Sequence, residues 1–496
     1  LAPAADTTQT EAPPTALPDA GDRPLTRADH TLIGLLLIST FVVIFNETVM
    51  SLALPRLMSD LGISASTAQW VTTGFLLTMA VVIPATGFIM ERFSVRQVFV
   101  AAMTLFSTGT LIAAVAPGFP VLLAGRIVQA MGTGVMLPLL ITTAMSLVAP
   151  SRRGRVMGVI SIVISVAPAI GPTVSGLVLS RASWRWLFLL VLPIALFSLA
   201  LGVWKVRNVT TPRHAHLDVL SLLLSAVGFG GLIYGLSSLG ESGGHAPVAP
   251  WIPVLVGLVA LGLFVWRQRA LQRGRGPLLD LRVFGRRDFT VSTFVTLAGF
   301  VALFGGLILM PIYLQTVRGV STVAAGLLVL PGGLAMGVLS PLVGRLFDRF
   351  GPRPLVIPGA VVLSGALWLL ATVGPTTSIG IVVVFHVMLM SALALMVTPL
   401  MTSALGSLPA DLYGHGSAVI STLQQLAGAA GTALFITVLS RVTASELAGG
   451  ANKATANVDG VQAAFVAGGI VSLAAVAAAL LVRRTAAPAG EHAPTH

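Results

Sequence analysis

The chain has 496 residues, of which 55% are hydrophobic and only 9% charged, with a net charge of +12 and a mean hydropathy of +0.94. Soluble domains carry roughly 25% charged residues, so a soluble globule is excluded, and intrinsic disorder, which requires low hydrophobicity, is excluded with it. Cysteine is absent, which removes disulfides, thiolate nucleophiles and Cys-ligated zinc or iron–sulfur sites.

Residues 1–25 contain Ala, Pro, Thr and Asp without an apolar run and read as a disordered tail. The first hydrophobic run is too long and begins too late for a signal peptide. A membrane-spanning helix needs about 20 apolar residues. Fourteen runs qualify, at about 30–54, 67–88, 97–117, 119–145, 155–180, 184–204, 217–238, 250–268, 288–314, 321–345, 354–373, 377–405, 414–440 and 460–482. The chain is therefore an all-α polytopic membrane protein. With the N-terminus inside, 22 of the 29 Lys and Arg fall in inner segments and 6 in outer ones, while Arg126 lies within a span. That asymmetry predicts both termini in the cytoplasm. It also explains the net charge without a nucleic-acid partner.

The sequence repeats itself. Gly87 opens GFIMERFSVRQ and Gly344 opens GRLFDRFGPRP, 257 positions apart; Pro138 and Pro399 lie in MLPLLITTA and MVTPLMTSA, 261 apart; Gly154 and Gly414 begin GRVMGVIS and GHGSAVIS, 260 apart. One offset shared by three matches predicts a duplicated six-helix unit. The expected organisation is a bundle over 26–208, two inserted helices over 209–275, a second bundle over 276–484 and a tail over 485–496. Paired bundles with a site at their interface are a transporter architecture.

Glu47 is the only acid deep inside any of the fourteen runs. A charge at the centre of a membrane helix costs about 2.5–3.5 kcal/mol on insertion scales, and such residues mark ion or substrate paths. A carboxyl in a low-dielectric pocket can load and release a proton; the plainer alternative is a structural hydrogen-bonding acid. Arg126 is the only base in a span interior. Both sit seven positions from an outer span end, about 10 Å deep at 1.5 Å per residue, so a pair or a water-linked coupling between them is expected. Gln129 lies one turn beyond Arg126 on the same face.

The repeated loops place Gly87, Glu91, Arg92 and Arg96, and Gly344, Asp348, Arg349 and Arg353, at inner helix ends. An acid in both copies predicts a conformational charge latch, because topogenesis needs only the basic residues. Pro168, Gly171, Pro172 and Gly176 in span 5 predict a kink and a smooth packing surface. His386, Gln424 and Gln425 are the notable polar groups of the second half; interhelical hydrogen bonding competes with a binding role for each, and His386 could also titrate. Trp70, Trp184, Trp186 and Trp251 sit near span ends, where an interfacial anchor is the expectation. No Gly-Lys-Ser/Thr phosphate loop, HExxH motif or intramembrane nucleophile set exists, so neither an ATP-driven pump nor an enzyme is expected, and no metal site or cofactor beyond a coupling proton.

These motifs together resemble the major facilitator superfamily, and within it the fourteen-helix drug:proton antiporters (the EmrB/QacA type), over about residues 30–482. The family's Asp-x-Thr…Ala-Leu-Pro signature is similar to Asn46-Glu47-Thr48 through Ala53-Leu54-Pro55, with the acid one place later. Its Gly-x-Leu-Ala-Asp-Arg-x-Gly-Arg loop matches Gly87, Glu91, Arg92 and Arg96, with Ser94 in place of Gly, and in the second copy Gly344, Asp348, Arg349, Gly351 and Arg353. Its Arg-x-x-Gln-Gly helix matches Arg126 and Gln129, with Ala130 replacing Gly. Its Gly-Pro-x-x-Gly-Gly signature matches Gly171, Pro172 and Gly176, with Ser175 replacing one Gly. Its Trp-Arg-Trp-x-Phe…Pro segment matches Trp184, Arg185, Trp186, Phe188 and Pro193, with Val191 where Asn is usual.

The resemblance implies two six-helix bundles plus two inserted helices and a monomeric, proton-driven exporter of lipophilic drugs or antibiotics in the bacterial inner membrane. Glu47 would carry the proton, tuned by Arg126, and Asn46, Glu47, Gln129, His386, Gln424 and Gln425 would contact a small lipophilic substrate, a cation among those it could accept. Membrane lipid is the surrounding partner. A narrow exporter of one endogenous product (an antibiotic, siderophore or lipid) and a non-transporting sensor or accessory of the same fold are the alternatives.

Overall fold

The computed structural model describes residues 25–50, 53–209, 218–239, 248–272 and 276–483. Nearly all of both expected tails lies outside them. Fifteen α-helices run in chain order: α1 (Arg27–Val49), α2 (Leu54–Leu61), α3 (Ala65–Arg92), α4 (Val95–Ala114), α5 (Phe119–Leu147), α6 (Arg153–Leu179), α7 (Arg185–Lys205), α8 (Val219–Leu239), α9 (Trp251–Leu271), α10 (Arg287–Ile312), α11 (Thr322–Phe350), α12 (Arg353–Leu370), α13 (Ile379–Gly406), α14 (Tyr413–Ala448) and α15 (Lys453–Ala479). No strand occurs among the described residues. Among the described residues, all helices except α2 are long and apolar enough to cross a membrane, which gives fourteen candidate spans. This is a multi-pass membrane protein.

Local sequence sets where the helices begin and end. Thr26 and Asp29 form a capping box at α1, Ser94 and Gln97 another at α4, and Ser64, Ser321 and Asn452 each accept from a backbone N–H in the first turn of α3, α11 and α15. Such caps satisfy amide donors that the helix itself cannot. Gly62 and Gly351 follow α2 and α11 with φ of 62° and 74°, in the left-handed region that favours glycine.

Two sequence expectations are corrected. The first span ends at Val49, not near residue 54, and Leu54–Leu61 forms the separate short helix α2. Pro55 lies in the first turn of α2, where its missing N–H costs nothing. Trp184 is fully buried, not interfacial: it packs edge-on against Phe188 under the Arg185 guanidinium. Trp70, Trp186 and Trp251 are exposed, and Trp70 stacks on Tyr234 of α8.

Helices α1, α4, α5 and α7 pack mainly within the first half and α10, α12, α13 and α15 within the second, whereas α6 and α11 pack most extensively on each other. The two halves meet along α6 against α11 and along α3 and α5 against α14. Helix α8 lies over the α3–α14 seam, where Phe229 and Ile233 pack with Ala80, Leu426 and Ala429. Helix α9 packs on α8. Their ends are tied by Arg267, which donates two hydrogen bonds of 2.7 and 2.8 Å to Asp218. Those bonds hold the Asp218 carboxyl down at about 2, so the pair stays charged at physiological pH.

Candidate substrate and proton site

A cavity of about 170 Å³ lies between the two halves, and every helix of the crossing pairs contributes to it. Its walls are mostly apolar: Val43, Met79, Ile83, Leu137 and Ile164 on one side face Phe300, Phe304, Val329, Met336 and Met390 on the other. Glu47 enters from α1, His386 from α13, and Ser421, Gln424 and Gln425 from α14. An apolar chamber with a few convergent polar groups suits a small lipophilic ligand.

Thr48, Thr133 and Ser165 on the cavity wall donate to carbonyls of their own helices, but five other polar groups there are poorly paired. Glu47 makes no ion pair among the described residues. Neither ring nitrogen of buried His386 makes a hydrogen bond of ordinary geometry; the backbone carbonyl of Val329 lies nearby, and the ring packs against Gly332. Ser421 Oγ is unpaired. The Gln424 and Gln425 amides meet only the sulfurs of Met401 and Met79, at 3.8 and 4.0 Å. Buried polar groups normally carry partners, so this wall has hydrogen-bonding capacity to spare for a ligand or water.

Arg126 forms no contact ion pair with Glu47, although the two charges interact through space. Its guanidinium is 1% exposed and donates to Gln129 Oε1 at 2.6 Å and to Asn46 Oδ1 at 3.2 Å, with the Phe75 ring 4.0 Å beneath. Gln129 in turn donates to Thr110 at 2.7 Å. Asn46 and Gln129, expected to touch substrate, are fully buried and turned to Arg126, and neither lines the cavity. Successive helix positions are about 100° apart, so Asn46 and Glu47 point different ways. The neutral residue takes the arginine, and the acid takes the cavity.

In span 5, Pro168 lines the cavity. A Cβ at Gly171 would lie 2.2 Å from Thr48 Oγ1, so this glycine lets α6 approach α1. At Gly176 the same addition would meet only Val323, at 3.7 Å. The Pro172 side chain lies outside the described ones.

Between the cavity and the arginine-rich helix ends, hereafter the basic end, the halves are in contact. Thr398 donates to Ser161 at 2.8 Å across the interface. Further toward that end, Asp348 of α11 accepts from the backbone N–H groups of Gly154 and Arg155 at 2.7 and 2.9 Å, capping the N-terminus of α6. Symmetrically, Glu91 of α3 meets His415 Nε2 in the first turn of α14 at 3.1 Å. Gly344 and Gly87 permit these approaches: a Cβ would fall 2.1 Å from Gly154 O or 2.6 Å from His415 Nδ1. The arginines of the two loops are placed differently. Arg96 donates to Val203 O of α7, Arg349 lies over the Phe350 ring, Arg353 opens α12, and Arg92 ends α3. The acids and glycines bridge the halves, whereas Arg96 bonds within one.

The family model described as Major Facilitator Superfamily matches residues 36–432. The chain belongs to the major facilitator superfamily. It is 39% identical to the lincomycin resistance protein LmrB of Listeria monocytogenes over 91% of this chain and 96% of that one. It is also 39% identical to the MFS-type transporter YcnB of Bacillus subtilis, over 92% and 96%. Identity to the multidrug resistance protein B homolog of Mycobacterium tuberculosis is 30%, over 82% and 75%. Among solved structures, the human organic anion transporter MFSD10 superposes with a TM-score of 0.65 at 16% identity, covering 92% of this chain and 100% of that one. The proton:xylose symporter XylE superposes at 0.61 and 17%, covering 92% and 96%. These two share the fold. The fourteen spans fit the fourteen-helix drug:proton antiporter family within the superfamily.

Within this superfamily member, His415 is the residue that sequence reasoning missed. The repeat that aligns Gly154 with Gly414 also places His415 where Arg155 stands, and that correspondence is the signal that could have found it. Asp348→Asn keeps the shape but leaves one acceptor for two amides. Loss of a charge-assisted contact at a helix N-terminus is worth about 1 kcal/mol. Opening of the basic end is therefore expected to rise about 3- to 10-fold. The measurement is the rate at which an impermeant maleimide, added on the basic side, modifies a cysteine introduced at Ser165 on the cavity wall.

Proposed function

We propose that this chain is a proton-driven exporter of lipophilic drugs or antibiotics, working by alternating access in the bacterial cytoplasmic membrane with its basic end and both termini inside. One observation carries the reading: Glu47 opens into the inter-half cavity with no neutralising partner at contact distance, while Arg126 is held behind it by neutral groups. An acid so placed can exchange a proton with the cavity as the cavity changes sides. Substrate occupies the same chamber, against His386, Gln424 and Gln425. The Glu91–His415 and Asp348–α6 contacts form the latch that closes the inner side. The chain acts as a monomer, without ATP, metal, cofactor or nucleic acid, and performs no chemical conversion. The names of the lincomycin and multidrug resistance relatives support a drug-like substrate.

The test is reconstitution into liposomes containing a pH-sensitive dye, challenged with lincomycin and a panel of lipophilic cations. Proton movement triggered by several unrelated drugs is the expected result. Movement with lincomycin alone identifies a narrow exporter. Drug binding without proton movement overturns the transport reading in favour of a sensor.

A further inference from the structure

The inserted α8–α9 hairpin has no counterpart in the repeat, yet a buried polar chain leads from it to the latch. Ser221 of α8 donates to Asp218 and accepts from Gln268 Nε2 of α9 at 2.6 Å. Gln268 Oε1 accepts the Leu279 backbone N–H at 3.1 Å, and Gln272 donates to Asp280 at 3.2 Å. The Asp280 backbone N–H then donates to His415 Nδ1 at 3.3 Å. Because Nδ1 accepts, the ring proton resides on Nε2 and points at Glu91 Oε1, 3.1 Å away. Ser221, Gln268, Asp280 and His415 are each no more than 3% exposed.

We propose that the inserted hairpin braces the latch: by fixing residues 279–280 through Gln268 and Gln272, it sets the orientation of His415 and thereby how firmly α3 and α14 stay joined at the basic end. His415 is the positioning residue of this device. A buried glutamine that satisfies both a hydroxyl on α8 and a main-chain amide in the connecting segment pins that segment to the hairpin. The segment in turn supplies the hydrogen bond that fixes the imidazole tautomer facing Glu91. Without it, the ring loses the partner that keeps Nε2–H directed across the seam. Helix α8 already lies along this seam, so a shift of the hairpin reaches the latch by packing and by hydrogen bonds together. The inference rests on reading the Glu91–His415 contact as a latch.

The chain lacks cysteine, so Phe93→Cys and Ala410→Cys, exposed positions on either side of the seam, can carry spin labels as the only modified sites. Distances between them are measured by double electron–electron resonance in lipid nanodiscs for the labelled parent, Gln268→Met, Gln272→Leu, His415→Phe and the Gln268→Met/His415→Phe combination. Gln268→Met keeps the length and removes both hydrogen bonds; the half-buried Gln272→Leu serves if Gln268→Met does not fold. The expected result is a longer-distance population raised about fivefold by Gln268→Met, the size of losing about one buried hydrogen bond. The rise with His415→Phe is at least as large, and the combination is no larger than His415→Phe alone, as coupled residues require. If His415→Phe opens the seam but the glutamine variants leave it at the parent distance, the brace is refuted and the latch stands. If His415→Phe itself changes nothing, latch and brace fall together. Additive effects would likewise refute the proposed route through His415.

Discussion

Glu47→Gln is expected to abolish uphill export while leaving exchange intact. Glutamine preserves the shape and the hydrogen-bonding capacity of the side chain but cannot carry a proton. One proton moving inward yields about 2.3 kcal/mol per 100 mV, enough to hold a gradient of a neutral substrate of about 50-fold at 1.36 kcal/mol per decade. With the proton site gone, that gradient should collapse to about unity. Radiolabelled substrate should still equilibrate across the liposome when unlabelled substrate is present on the other side, because the alternating movement itself does not need the acid. A structural role for Glu47 predicts a different outcome, in which exchange and pumping fall together. Undiminished uphill export in Glu47→Gln would remove Glu47 from the coupling mechanism and move attention to His386, the other unpaired titratable group on the cavity wall. The hydrogen-bond partners of Arg126, Asn46 and Gln129, are neutral, so they do not offset its charge.

What the sequence reveals and what it hides follow from how membrane helices are built. Span number is legible because lipid imposes a length, and the alternation of arginines checks the count independently. The acid at residue 47 is legible because a charge is costly there. Helical azimuth is not. Apolar residues surround α1, so nothing in its pattern tells which of Asn46 and Glu47 faces the cavity, and depth alone leaves direct pairing of Glu47 with Arg126 and a water-linked coupling equally open. Only the packed structure shows Asn46 turned to the arginine. The end of α1 is equally hidden, because Leu54-Pro55 continues the apolar run in composition while starting a new helix in geometry. The burial of Trp184 is hidden for a related reason: closeness to a span end does not distinguish an interfacial ring from one packed in a core between helices. His415 escaped notice because its meaning depends on partners distant in sequence, Asp280 being 135 positions away.

Gly344→Ala is expected to open the basic end and stall transport, and Gly176→Ala, on the same pair of helices, is expected to do neither. A methyl group at residue 344 would lie 2.1 Å from the carbonyl oxygen of Gly154, with further main-chain atoms of α6 behind it at 2.8 and 3.2 Å. Main chain inside a helix cannot rotate aside, so α6 and α11 must separate. That separation also lengthens the two Asp348 hydrogen bonds, now 2.7 and 2.9 Å, which cap α6 from the opposite half. Overpacking of this kind costs about 1–3 kcal/mol, which at 1.36 kcal/mol per decade shifts the balance toward the open basic end by about 5- to 150-fold. At Gly176 the added methyl meets Val323 at 3.7 Å, ordinary van der Waals contact, and the balance should move less than about twofold. Maleimide modification of a cysteine at Ser165 from the basic side reports the opening, and uphill drug accumulation in liposomes reports the stall. Equal behaviour of the two glycine variants would mean that the α6–α11 contact is general packing along its length. A selective effect at Gly344 would locate the moving part of the interface at the end where both repeated acids grip the helix of the opposite half.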